Sequence, residues 1–126
     1  MNIDIFVVLI IFFIGWEVFW YFLGVQPMYP WKLRKNLDRI KKEAALVDVR
    51  TAAEYKLFHI DGAVHLPEIL VYPEAAKNLD PDKPVIVICM TGHRSPIAGY
   101  KLKKHGLKEV YSLTWGMLAW KLTKII

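Results

Sequence analysis

The chain opens on one long apolar run. From Ile5 to Val25 the only charged residue is Glu17. At ~1.5 Å per residue a helix of about 21 residues covers the ~30 Å hydrocarbon core of a bilayer. A cleaved signal sequence would bring a basic leader, a shorter apolar stretch and a small-residue cleavage site. This run instead follows Asp4 and leads into Gln26-Pro27-Met28-Tyr29, so the pattern predicts a retained transmembrane helix that Pro27 and Pro30 bring to an end. Residues 31–45 then read as an amphipathic, basic helix with Leu33, Leu37 and Ile40 on one face.

From Ala45 onward short apolar runs alternate with helical patterns. Ala45–Val49, Ala63–Leu66, Pro84–Ile88 and Glu109–Ser112 are short and mostly continuously apolar, as strands buried on both faces are. Thr51-Ala52-Ala53-Glu54 has the form of a capping box. Glu68–Asn78 reads as a second helix. Ser95-Pro96 supplies an N-cap followed by Pro at the first helical position of a third, which Gly106 closes. Trp115–Thr123 forms the last. Alternation of this kind predicts an α/β fold, a mainly parallel sheet with helices on both faces. The expected organisation is a transmembrane anchor over 1–27, a basic juxtamembrane helix over 28–44, and one α/β domain over 45–126.

Charge adds an orientation. All 17 Lys and Arg of the 126-residue chain lie beyond residue 25. Lys32, Arg34, Lys35, Arg39, Lys41 and Lys42 crowd the C-terminal flank of the apolar run. Basic flanks stay cytoplasmic, which predicts a single-pass protein with its N-terminus outside and its domain in the cytoplasm. Trp16, Trp20, Tyr21, Tyr29 and Trp31 gather toward the same end, as an interfacial aromatic belt does. The basic surface is read as solvated and membrane-adjacent rather than as a nucleic-acid face, and no nucleic acid is expected as a partner. Glu17 reads as a protonated or interface-reaching carboxyl within the span, the alternative being a polar contact between helices.

One cysteine excludes an internal disulfide, two-thiol redox chemistry and multi-cysteine metal sites, and no His, Asp or Glu spacing matches a metal motif. No metal or cofactor is therefore expected. Cys89 nonetheless stands at the end of the apolar run Val85-Ile86-Val87-Ile88 and just before the predicted helix at Ser95. In open α/β sheets ligands bind beyond the carboxyl ends of the strands. The helix start offers free N–H groups, Gly92 lets the loop curl into an anion nest, and Arg94 with His93 adds donor character. Such surroundings favour the thiolate, the nucleophilic form, and fit a bound oxyanion or a negatively charged persulfide.

These residues resemble the rhodanese family, and the resemblance extends over residues 46–120. Leu46-Val47-Asp48-Val49-Arg50 with Glu54-Tyr55 is similar to the first family block, and His59-Ile60-Asp61-Gly62-Ala63-Val64-His65-Leu66-Pro67 to the second. Cys89-Met90-Thr91-Gly92-His93-Arg94-Ser95 resembles the active loop, and Glu109-Val110-Tyr111-Ser112-Leu113 with Gly116 and Trp120 the closing block. The resemblance implies a five-stranded parallel sheet and sulfur transfer by a ping-pong route. Cys89 would be the catalytic nucleophile that takes sulfane sulfur from thiosulfate or a thiol persulfide and passes it to cyanide or a thiol. Met90, Thr91, Gly92, His93, Arg94 and Ser95 would bind the anionic donor and the persulfide, with Asp48 and Arg50 in support, in a structural ion pair with the loop. His59 and His65 read as turn or strand-edge residues rather than ligands. The implied partners are a small anionic sulfur donor and a thiol or cyanide acceptor, with the lipid bilayer around residues 5–25.

Two departures qualify the resemblance. Met90 stands where many thiosulfate-specific members carry Arg, and Trp115 replaces the first glycine of the usual closing pair. Two other readings compete. A phosphatase or arsenate reductase wants five residues between Cys and Arg, whereas four separate Cys89 from Arg94. A non-catalytic, membrane-tethered binding or regulatory module remains the alternative to the enzyme.

Overall fold

The computed structural model describes residues 4–70 and 77–124. Helix α1 spans Ile5–Phe22, capped by Asp4, whose carboxylate accepts from Phe6 N–H at 3.0 Å. It is the one helix among the described residues long and apolar enough to cross a membrane, and none of its residues is buried. A turn through Leu23 and Gly24 leads into strand β1, Val25–Met28. The apolar run is thus two elements: the helix stops before Val25, and Val25 to Met28 belong to the sheet.

Helices α2, Pro30–Lys35, and α3, Leu37–Glu43, follow where one continuous helix was expected, the break falling at Asn36. This basic segment is part of the folded unit. Leu33 and Ile40 are buried, and burying Leu33 alone is worth roughly 1.5–3 kcal/mol. Arg34 donates to the Trp120 carbonyl at 3.0 Å and to Thr123 Oγ1, with its guanidinium 4.0 Å above the Trp120 ring.

The remaining elements are β2, Ala45–Asp48; α4, Ala52–Leu57; β3, Val64–His65; a 3-10 turn at Pro67–Leu70; β4, Val85–Ile88; α5, Ser95–Lys104; β5, Val110–Leu113; and α6, Gly116–Leu122. The helix expected over 68–78 falls largely on residues 71–76, outside the described residues. The strands form one five-stranded, all-parallel sheet in the order β1-β5-β4-β2-β3. Pro27 fits because β1 is an edge strand with only β5 beside it.

Successive strand residues point to opposite faces, and both faces are covered. Leu46, Ile86, Ile88 and Leu113 pack with Leu33, Ile40, Met117 and Trp120. Val47, Val85, Val87 and Val110 pack with Ala98 and Leu102 of α5. Cys89 continues the alternation of Val85 and Val87, so its side chain falls on the α5 side, beneath that helix's first turn.

Candidate active site

Cys89 follows the last residue of β4 and is completely buried. Its Sγ accepts from the Gly92 N–H at 3.0 Å and the Ser95 N–H at 3.3 Å, and the thiol lies 3.4 Å from Ser95 Oγ. Ser95 Oγ shares a hydrogen bond of 2.7 Å with Ser112 Oγ on β5. Two inward amides on one sulfur form an anion cradle, and the thiol donates to the Ser95 hydroxyl beside it.

The cradle is held from below. Gly92 has φ +87°, and a Cβ there would come within 2.6 Å of the Trp115 nitrogen; a Cβ on Gly116 would stand 2.5 Å from the Cys89 and Met90 carbonyl oxygens. The first turn of α6 therefore lies directly against the loop. Met117 N–H donates to the Cys89 carbonyl at 2.9 Å and Leu118 N–H to the Met90 carbonyl at 3.1 Å. With these carbonyls fixed on α6, the loop's later amides are left to face the sulfur.

The other predicted site residues divide. Ser95 was expected as the N-cap of α5. It is the first helical residue instead: Arg94 occupies the cap position without a side-chain cap bond, and the Ser95 hydroxyl turns to Cys89 and Ser112. Arg94 does not touch the sulfur. Its side chain is 42% exposed and lies 3.6 Å from Glu54. The Thr51 N–H, donating at 3.0 Å, is the first cause holding the Glu54 carboxyl below its ordinary range, with Arg94 adding to it. Met90 packs toward the core beside Ile88 and Met117. Thr91 is exposed, and its Oγ1 lies 2.9 Å from His93 Nδ1. The His93 ring meets Phe13 edge-on at 5.0 Å, with Trp16 at 6.2 Å, so the loop tip touches α1.

Asp48 and Arg50 form a fully buried pair at the end of β2, with contacts of 2.9–3.1 Å. Arg50 continues to the Phe58 carbonyl at 2.6 Å rather than to the Cys89 loop. His65 binds the Arg50 carbonyl at 2.7 Å, and Tyr55 stacks on both His59 and His65. No metal-holding group of His, Cys, Asp and Glu occurs among the described residues. Sequence reasoning missed Ser112 as part of the site. A lone serine within a buried strand was the available signal, since a buried hydroxyl demands a partner.

The fold is thus a parallel α/β sheet with a cysteine in an amide cradle beyond the carboxyl end of its middle strand. The sequence model of the rhodanese-like domain matches residues 31–123, and the chain belongs to that family. It is 36% identical over 97 residues to thiosulfate sulfurtransferase GlpE of Coxiella burnetii, covering 77% of this chain and 85% of that one. It is 38% identical over 92 residues to the probable adenylyltransferase/sulfurtransferase MoeZ of Mycobacterium tuberculosis, covering 72% of this chain but only 23% of that longer protein. Among solved structures, a rhodanese-like domain protein of Staphylococcus aureus superposes with a TM-score of 0.67 at 24% identity, covering 76% of this chain and 91% of that one. A Bacillus halodurans protein gives 0.70 at 22%, covering 87% and 80%.

Proposed function

We propose that this protein is a membrane-anchored sulfurtransferase that carries sulfane sulfur on Cys89. The observation that carries the reading is the pair of N–H donors from Gly92 and Ser95 on Sγ. The same donors suit a sulfur that bears negative charge before and after transfer. The Cys89 thiolate attacks the outer sulfur of thiosulfate, the S–S bond to the sulfonate breaks, and sulfite leaves with that bond's electron pair. Cys89 is then a persulfide. Cyanide or an acceptor thiolate attacks its terminal sulfur and departs as thiocyanate or a new persulfide, restoring the thiolate. The Gly92 and Ser95 amides hold the sulfur, Thr91, His93 and Arg94 line the donor's approach, Arg94 attracts its charge, and Asp48 with Arg50 stiffens the neighbouring strand end. The names of the GlpE relatives support a thiosulfate-type donor, and a Bacillus subtilis relative named as a putative sulfur carrier protein supports a thiol acceptor.

Residues 5–22 are the anchor in this reading. The basic residues from Lys32 to Lys42 keep the domain in the cytoplasm, with the N-terminus outside. A non-catalytic binding module is the second reading, which the complete burial of Cys89 favours. Intact mass after incubation with thiosulfate decides between them. The enzyme gains one sulfur, releases it to cyanide, and loses both properties in Cys89→Ser. A folded wild-type protein that takes up no sulfur from thiosulfate or from a thiol persulfide would overturn the proposal.

A further inference from the structure

The Cys89 loop holds few of the cations that a doubly charged donor calls for. Met90 packs toward the core. Arg94 stays on the rim, 3.6 Å from Glu54, and shares its charge with that carboxylate. Arg50 is fully buried against Asp48 and the Phe58 carbonyl. Within the loop, His93 is what remains. It stands between Gly92 and Ser95, the two residues whose N–H groups hold Sγ, and it is half-buried. Its Nδ1 lies 2.9 Å from Thr91 Oγ1, a contact that orients the ring. Imidazole is also the side chain that changes charge near neutral pH.

We propose that His93 is a specificity-determining residue that selects the sulfur donor by its charge. The inference rests on the sulfur-transfer reading. As an imidazolium, His93 gives the loop the positive charge that a dianion such as thiosulfate requires. As a neutral imidazole it leaves the cradle amides to singly charged donors. Its surroundings do not compensate that charge. From α1, Phe13 at 5.0 Å and Trp16 at 6.2 Å face the ring, and neither is charged. Trp115 and the α6 residues Leu118, Ala119 and Leu122 line the groove that His93 shares with α1, and they are uncharged too. Glu17, one turn beyond Phe13 on α1, lines the neighbouring cavity with Thr114 and Tyr29. Within the loop Arg94 is adjacent, and it stands between His93 and Glu54 of α4. The Thr51 N–H first, and Arg94 in part, hold the Glu54 carboxyl below its ordinary range. The Arg94–Glu54 pair therefore keeps both charges across the range in which an imidazole titrates.

Two donors of nearly one shape test this in the full chain. Methanethiosulfonate has a methyl group in place of one anionic oxygen of thiosulfate, and so carries a single negative charge. With it, the Cys89 thiolate attacks the outer sulfur, the S–S bond breaks, and methanesulfinate leaves with the electron pair. Both donors meet the same thiolate, so its ionisation cancels from the ratio of their kcat/KM values. In the wild type the ratio of thiosulfate to methanethiosulfonate should fall about tenfold between about pH 5.5 and about pH 8.5. His93→Gln should give a flat ratio at the low, alkaline value, and His93→Lys a flat ratio at the high, acidic one. Glu17→Gln should keep the wild-type fall. A ratio independent of pH in the wild type overturns the proposal, and so does a fall that persists in His93→Gln. A fall that disappears in Glu17→Gln assigns the titration to Glu17 and overturns it as well. Sulfur uptake from neither donor, in a protein whose circular dichroism reports a fold, overturns the sulfur-transfer reading itself and the inference with it.

Discussion

At the scale of single residues, the Cys89 loop depends on backbone more than on charge. Gly92→Ala would force a Cβ into the Trp115 backbone and a left-handed conformation on an L-residue, the latter alone costing about 1–2 kcal/mol. The variant should lose sulfur uptake through a collapsed cradle, visible in intact mass, even where circular dichroism still reports a fold. Ser95→Ala separates hydroxyl from amide. The Ser95 N–H remains on Sγ while Ser112 loses its partner, so persulfide formation should survive and stability fall by about 1–3 kcal/mol in denaturant titration. Arg94 stands apart from both, on the exposed rim and paired with Glu54. Arg94→Ala should leave persulfide formation from an uncharged donor intact and raise the apparent KM for thiosulfate by about tenfold.

Among the elements, β2 ends in a buried ion pair whose loss has a definite sign. Arg50→Met leaves the Asp48 carboxylate buried and unpaired, which costs about 3–5 kcal/mol. The double variant Arg50→Met with Asp48→Leu should recover part of that in thermal unfolding, because the uncompensated charge is gone. Helix α4 contributes a pH dependence. Glu54 closes its capping box with Thr51, and its carboxyl is held below the ordinary 4.5. A depressed acid stabilises the fold fully above that ordinary value, and the contribution fades as pH falls through the lower folded one. Glu54→Gln should lose that contribution at neutral pH and show a flatter acid limb below pH 4.5, so that the two proteins converge in acid.

The same elements show what hydropathy and spacing carry. Strands β2 and β4, the capping box and the Cys89 loop were legible because each combines an apolar run with a local turn or cap signal. Strand β1 was not. Val25-Gln26-Pro27-Met28 directly follows a membrane-like run, contains a proline, and gains its partner only from β5, more than eighty residues later. The exchange of Ser95 from cap to site was hidden for a similar reason. Its partner Ser112 is brought beside it by the sheet and not by the sequence.

For the molecule as a whole, β1 decides where the apolar helix and the domain part. The sheet begins at Val25, and α2 and α3 are fastened to α6 and the core through Arg34, Leu33 and Ile40. A chain starting at Leu23 keeps every strand and loses the apolar helix with its contacts to His93 and Tyr100, so it should be soluble and cooperative in thermal unfolding. A chain starting at Tyr29 strips β1 and uncovers the edge of β5, a row of unpaired backbone groups that invites association. It should aggregate or unfold, although it still contains every residue of the Cys89 loop. With α1 attached, the protein should sediment with membranes and resist carbonate extraction. On the anchored reading a reporter fused after Ile126 should behave as cytoplasmic, since Lys32 to Lys42 closely follow the apolar helix. Glu17 agrees with that arrangement. It is half-buried on the domain side of α1, lining a cavity with Tyr29 and Thr114, rather than facing lipid. Glu17→Leu should therefore leave carbonate resistance unchanged. Release of the intact chain by carbonate, or an active periplasmic phosphatase fused after Ile126, would refute anchoring and orientation respectively.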